Sequence, residues 1–200
     1  MSRSEYSILN GSKHLIISFG GSALQFGGIP PFEFLNYLSS TYKNNCDLVF
    51  YIDSRQCWYH KGIEHITADI DETAAYLGEL IKRGNYDKVI FMGVSAGGYA
   101  SILFGSLCQV NHVIAFIPQT YCRNPIDKKY ANLKHVINAR TQYVLYGDTS
   151  IEDVNDIHHI SHCENIECFA NVRVIRNHGC NMKQLRDTGF IKQLIDDIIR

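Results

Sequence analysis

KVIFMGVSAGGYA, residues 88–100, joins an apolar run to a cluster of small residues, and its reading decides the fold. Lys88 to Gly93 is apolar at adjacent positions as well as alternate ones, the pattern of a strand covered on both faces. From Ala96 onward, small and apolar residues follow without a break, as in a buried helix. Ser95 stands at the junction, in the pattern G-x-S-x-G formed by Gly93, Ser95 and Gly97. Small residues at that spacing let strand and helix approach closely and leave the serine on a sharp turn, where its hydroxyl is free to attack. The same letters also fit a plain turn in which Ser95 only caps the helix. The rest of the chain has to decide between the two.

Working outward, HLIISF (14–19), DLVFYI (47–52), HVIAFI (112–117), QYVLYG (142–147) and VRVI (172–175) repeat the strand signature. They are rich in Val, Ile, Phe and Tyr. Helical faces lie between and after them: Ile66, Ile70, Ala74, Leu77 and Ile81 keep one stripe, and Phe190, Leu194, Ile195 and Ile198 another. Strand and helix in alternation predict an α/β fold. We expect a doubly wound, mostly parallel sheet of about six strands, helices on both faces and no lid, as a single domain over residues 1–200. EYSIL (5–9), ahead of Asn10-Gly11, is expected to add an antiparallel edge strand through a tight hairpin.

Composition narrows the function. Lys plus Arg number 19 against 20 for Asp plus Glu, so the basic excess of a nucleic-acid binder is missing. No run of apolar residues is long enough for a membrane span, and the N-terminus lacks the apolar core of a signal peptide. Seven irregularly spaced cysteines do not make a disulfide framework and read as reduced thiols in a cytoplasmic protein. No P-loop occurs, and the glycines at 20–21 and 27–28 do not form G-x-G-x-x-G, so no cofactor is expected.

Sites in parallel sheets of this kind lie beyond the carboxyl ends of the strands. A serine needs a base, and His178, with Gly179 directly after the last strand, stands where that base is expected. The acid comes from GDTSIEDVNDIHH, which offers Asp148 at the strand end and Asp153 further on. Ser150 and Asp153 also fit a helix capping box. For the oxyanion hole, the N–H groups of Ala96 at the helix start and of Gly21 and Ser22 after the first core strand are the candidates. Trp58 and Tyr59 follow the second core strand and are candidates for stacking on a sugar ring; Gln119 follows the strand after the elbow. His158 and His162, with His159 and Cys163, suggest a metal face, but no second ligand pair accompanies them, and we expect no metal.

These residues resemble the α/β-hydrolase superfamily over roughly residues 13–199. The most specific stretch is GVSAGGYA. The chain is similar, more narrowly, to small lidless members found beside glycan-modifying enzymes: the elbow continues into S-x-G-G-Y, Pro118-Gln119 follows the next strand, and Asp153, Asp156 and His159 form a D-x-x-D-x-x-H run. That run favours Asp153 over Asp148 as the acid. The resemblance implies a serine hydrolase with the triad Ser95, His178 and Asp153, Asp148 being the alternative acid. The substrate it implies is a carboxylic ester, a short acyl group such as O-acetyl on a glycan. Acyl transfer to a sugar hydroxyl would use the same residues, and a non-catalytic binding module on the same scaffold would use none.

Overall fold

The computed structural model describes residues 4–22, 32–122 and 125–200; Gly27 and Gly28 lie outside them. Among the described residues, seven strands form one sheet: β1 (Glu5–Ile8), β2 (His14–Phe19), β3 (Asp47–Tyr51), β4 (Lys88–Val94), β5 (His112–Phe116), β6 (Gln142–Asp148) and β7 (Val172–Asn177). Their order is β1-β3-β2-β4-β5-β6-β7, and every neighbouring pair is parallel except β1 with β3. The helices that accompany them are α1 (Leu35–Tyr42), α2 (Ile70–Gly84), α3 (Ala96–Leu107), α4 (Ser161–Glu164), α5 (Met182–Asp187) and α6 (Phe190–Ile199).

The apolar runs dictate this layering. Along β2, Leu15, Ile17 and Phe19 enter one core with residues of α2 and α3, while Ile16 enters a second core with residues of α1 and α6. Both faces of the sheet are therefore covered, and period-2 side chains fill both layers. The expected hairpin does not form. β1 is antiparallel at the edge, but it pairs with β3, because both flanks of the largely apolar β2 are taken by β3 and β4. The Asn10 and Ser12 N–H groups, which a hairpin would use, donate instead to Asp47 Oδ1 at 2.8 and 3.0 Å. Helix α2 starts four residues later than its stripe begins, where Asp69 caps it by accepting from the Glu72 N–H at 2.8 Å.

Successive strands are added on one side of β2 as far as β3 and on the other side from β4 onward, so the crevice beyond the carboxyl ends of β2 and β4 is the switch point of the sheet. Helix α3 runs from that point straight through the core, buried from Ala96 to Ser106. Such a helix can lie against the sheet only where side chains are absent. A Cβ on Gly97 would stand 2.1 Å from the Phe19 carbonyl oxygen, and one on Gly93 would stand 2.3 Å from the Gly97 carbonyl. Tyr99 ties this helix to the loops above it. Its hydroxyl donates to the Tyr130 carbonyl at 2.7 Å and meets His60 Nε2 at 3.0 Å. His60 Nδ1 accepts from the Asp127 N–H at 3.1 Å, which leaves the imidazole neutral with its proton on Nε2. Burial also lowers the His60 pKa.

Candidate active site

At the end of β4 the backbone turns through Ser95 at φ 56° and ψ −118°, a conformation that side-chain-bearing residues avoid. Strain of this kind typically costs on the order of 1–3 kcal/mol and persists where the surroundings hold it. Here the Ser95 N–H donates to the Phe116 carbonyl at 3.0 Å and the Ser95 carbonyl accepts from the Tyr99 N–H at 3.0 Å. The hydroxyl makes no capping bond to α3. Instead Ser95 Oγ lies 2.7 Å from His158 Nε2 and accepts from Gln119 Nε2 at 3.3 Å. The plain-cap reading of this turn is thereby excluded.

His158 is not the histidine that the sequence singles out. His178 sits on an exposed loop after β7, and among the described residues its ring bonds neither to Ser95 nor to a carboxylate. His158 reaches the serine from the excursion between β6 and α4. A capping box at Ser150 and Asp153 would open a helix here; the segment is instead a staircase of turns. The Asp156 N–H donates to the Asp153 carbonyl, His159 to Asp156 and His162 to His159, at 2.9, 3.1 and 3.0 Å. Asp153 and Asp156 each hold the next step by accepting a backbone N–H two residues on, from Asn155 at 2.9 Å and His158 at 2.8 Å. The D-x-x-D-x-x-H spacing is thus turn chemistry. Asp156 Oδ1 stands 3.8 Å from His158 Nδ1, close enough to orient the ring electrostatically and too far for a hydrogen bond. Asp153 is exposed and contacts no histidine ring among the described residues. The capping box is absent too, since Ser150 turns back to Asp148.

Asp148 has another task. Its Oδ1 accepts from the Ser150 N–H and hydroxyl and from the Gly179 N–H at 2.8, 2.6 and 2.9 Å, and its Oδ2 accepts from the Cys180 N–H at 2.8 Å. Burial pushes this carboxyl up, but the bonds from Ser150, Gly179 and Cys180 prevail and hold it below the ordinary range. Asp148 therefore clamps the loop of His178 to the end of β6. Asp148→Asn would set an amide N–H against one of these donors. We expect a loss of about 2–3 kcal/mol at neutral pH, read as a melting temperature lower by roughly 5–10 °C. A carboxyl lowered in the fold contributes stability above its unfolded pKa of about 4 and loses it as the pH falls through the folded value. The gap between parent and variant should therefore close toward pH 3. Equal melting temperatures at pH 7 would remove the clamp.

The remaining candidates fall into place around the elbow. Ala96 opens α3, so its N–H has no acceptor within the helix. Gly21 packs against the elbow, where a Cβ would stand 3.3 Å from the Val94 carbonyl. Ser22 is exposed, and its carbonyl accepts from Gln56 Nε2 at 2.7 Å. Trp58 is half-buried and donates its indole N–H to Gln119 Oε1. Tyr59 corrects the expectation that it meets a sugar: it is fully buried, packs on Phe19 and Phe104, and donates to the Gly20 and Tyr51 carbonyls at 3.1 and 3.2 Å. Asp53 shapes this loop by accepting from the Cys57 and Tyr59 N–H groups at 2.6 and 3.0 Å. His158 and His162 share no metal face. His162 is buried under the Tyr121 ring, and its Nδ1 accepts from the Thr120 N–H at 3.2 Å. All seven cysteines are free thiols. Among the described residues no helix is long and apolar enough to cross a membrane.

Solved structures resemble this arrangement in outline. A capsule O-acetyltransferase of Neisseria meningitidis serogroup A matches with a TM-score of 0.66 at 12% identity, over 98% of this chain and 91% of that one. Esterase 2 of Thermogutta terrifontis matches at 0.62 and 15%, over 96% and 87%. An α/β hydrolase from the metagenome of lagoon sediments at Mar Chica, Morocco, matches at 0.60 and 14%, over 96% and 92%. The chain has the α/β-hydrolase fold. No protein-family model matches it, and no curated protein matches it in sequence. Within this fold the elbow serine, the loop after β6 and the loop after β7 converge at one end of the sheet, where Ser95, His158, Asp148 and His178 are found.

Proposed function

We propose that the protein is a serine enzyme that cleaves a carboxylic ester through an acyl-enzyme on Ser95, with His158 as the base. The observation that carries this reading is the 2.7 Å contact between Ser95 Oγ and His158 Nε2 at a backbone held in a strained conformation. Backbone strain of this kind clusters at active sites, which supports a catalytic task for Ser95. In the proposed reaction Ser95 Oγ attacks the acyl carbon and its proton passes to His158 Nε2. The oxyanion faces the N–H groups of Ala96 and of the Gly21–Ser22 loop, at the positive end of α3. The imidazolium is balanced by Asp156, 3.8 Å away. His158 then returns its proton to the departing alkoxide, and a water repeats the cycle to free the acid.

Acyl transfer to a sugar hydroxyl is the second reading, favoured by the likeness to the capsule O-acetyltransferase. It changes only the acceptor in the second half-reaction. A short acyl group on a polar glycan suits either reading, because the described residues devote no lid domain to covering a long one. The test has two parts. A fluorophosphonate probe should label the protein at Ser95, and 4-nitrophenyl acetate should turn over faster than the octanoate. No labelling would make the chain a non-catalytic module; faster octanoate turnover would remove the short-acyl assignment. Release of acetate in water against transfer to added glycan separates hydrolase from transferase.

A further inference from the structure

Gln119 is almost wholly buried beside the nucleophile, and its two amide ends have different neighbours. One end meets the indole N–H of Trp58, and the other meets Ser95 Oγ at 3.3 Å. An indole N–H can only donate, so the amide oxygen must face Trp58 and the amide N–H must face Ser95. We propose that Gln119 is a side-chain donor to the nucleophile, and that Trp58 is a positioning residue that keeps the amide from turning over. The proposal rests on Ser95 being the nucleophile.

The chemistry follows from hydrogen-bond direction. With Gln119 donating into one lone pair of Ser95 Oγ, the hydroxyl proton stays free to be donated to His158 Nε2 when that nitrogen is unprotonated, the state in which it can act as the base. The chain runs one way: Trp58 N–H to Gln119 oxygen, Gln119 N–H to Ser95 oxygen, Ser95 O–H to His158 nitrogen. As His158 takes the proton, negative charge grows on Oγ, and the Gln119 N–H is already aimed at it, so no dipole has to reorganise during the step. A reversed amide would put its carbonyl oxygen there instead, compete for the hydroxyl proton and repel the growing charge. Backbone placement supports the arrangement. Phe116, three residues before Gln119, holds the Ser95 N–H, and a Cβ on Gly98 would stand 3.0 Å from Pro118, so the Gln119 loop is packed directly on the elbow. On the other side, Asp53 fixes the turn that presents Trp58.

The experiment compares rates of fluorophosphonate labelling in the full chain for the parent, Gln119→Glu, Trp58→Phe and the double variant. Glutamate keeps the size and shape of glutamine but cannot donate as a carboxylate, so labelling should slow about 100-fold. Its charge favours the imidazolium of His158, so the acid limb of the pH–rate profile should move to higher pH. Trp58→Phe should slow labelling about fivefold with the limb unmoved, which is the effect of losing one ordinary hydrogen bond. In the Gln119→Glu background the two carboxylate oxygens are equivalent and there is nothing to keep from turning over, so adding Trp58→Phe should change the rate less than about twofold. Labelling by Gln119→Glu within about threefold of the parent, at unchanged limb position, overturns the donor role. An equal Trp58→Phe cost in both backgrounds overturns the positioning role. A parent that does not label at all fails differently, since it removes the nucleophile on which the proposal stands. Should Gln119→Glu not fold, Trp58→Phe paired with Gln119→Met carries the same comparison.

Discussion

Ser95→Ala is expected to abolish ester cleavage, by at least ~10⁴-fold, because base and oxyanion donors without a nucleophile have nothing to act on. The fold should survive. Among the described residues Ser95 Oγ takes part in two hydrogen bonds, with His158 and Gln119, and both partners keep other contacts. Ser95→Gly separates the backbone from the chemistry. Glycine accepts φ 56° without steric penalty, so it should be as inactive as alanine yet melt at or above the alanine variant. A serine kept strained for catalysis predicts that order of melting temperatures. Residual cleavage within about tenfold of the parent in Ser95→Ala would refute the nucleophile, whatever the melting temperatures.

The sheet was legible in the sequence because strands buried on both faces are written as nearly continuous apolar runs, and HLIISF and KVIFMG could hardly be anything else. The elbow was legible for a related reason: Gly93 and Gly97 are demanded by backbone contact, and few other residues fit. The β1 pairing was missed because Asn10-Gly11 is a local hairpin signal, whereas the competition of β3 for β2 is tertiary. The contact of His158 with Ser95 was missed for the same reason. His178 holds the expected place in chain order, and order says nothing about which ring points at the serine. The clue to His158 lay in Asp153, Asp156, His159 and His162, which recur every three residues; that is the step of successive tight turns, while a helical face alternates three and four. The clamp that Asp148 forms carried no mark, since a carboxylate that accepts backbone N–H groups looks in sequence like any turn aspartate.

The assignment of the base is therefore the most exposed part of the proposed mechanism. His158→Ala should lower esterase and labelling rates by at least ~10³-fold, because a serine hydroxyl without a base is a poor nucleophile. The loss should be strongly non-additive with Ser95→Ala, as for residues that act as one unit. His178→Ala should stay within about tenfold of the parent: its ring makes no bond to Ser95, and the loop is held through the Gly179 and Cys180 N–H groups, which the substitution leaves in place. Asp156→Asn should cost less than His158→Ala. The amide oxygen can still accept the His158 N–H and preserve the turn, so the variant loses only the charge 3.8 Å from Nδ1. Asp153→Asn, on an exposed step of the staircase, should leave the rate unchanged. The opposite pattern is equally readable. If His178→Ala is the inactive, well-folded variant and His158→Ala retains its rate, the base is the histidine after β7, and the loop that Asp148 clamps must turn toward Ser95 when substrate binds. In that case Asp148→Asn should lose activity beyond its loss of stability, and Asp156→Asn should lose none.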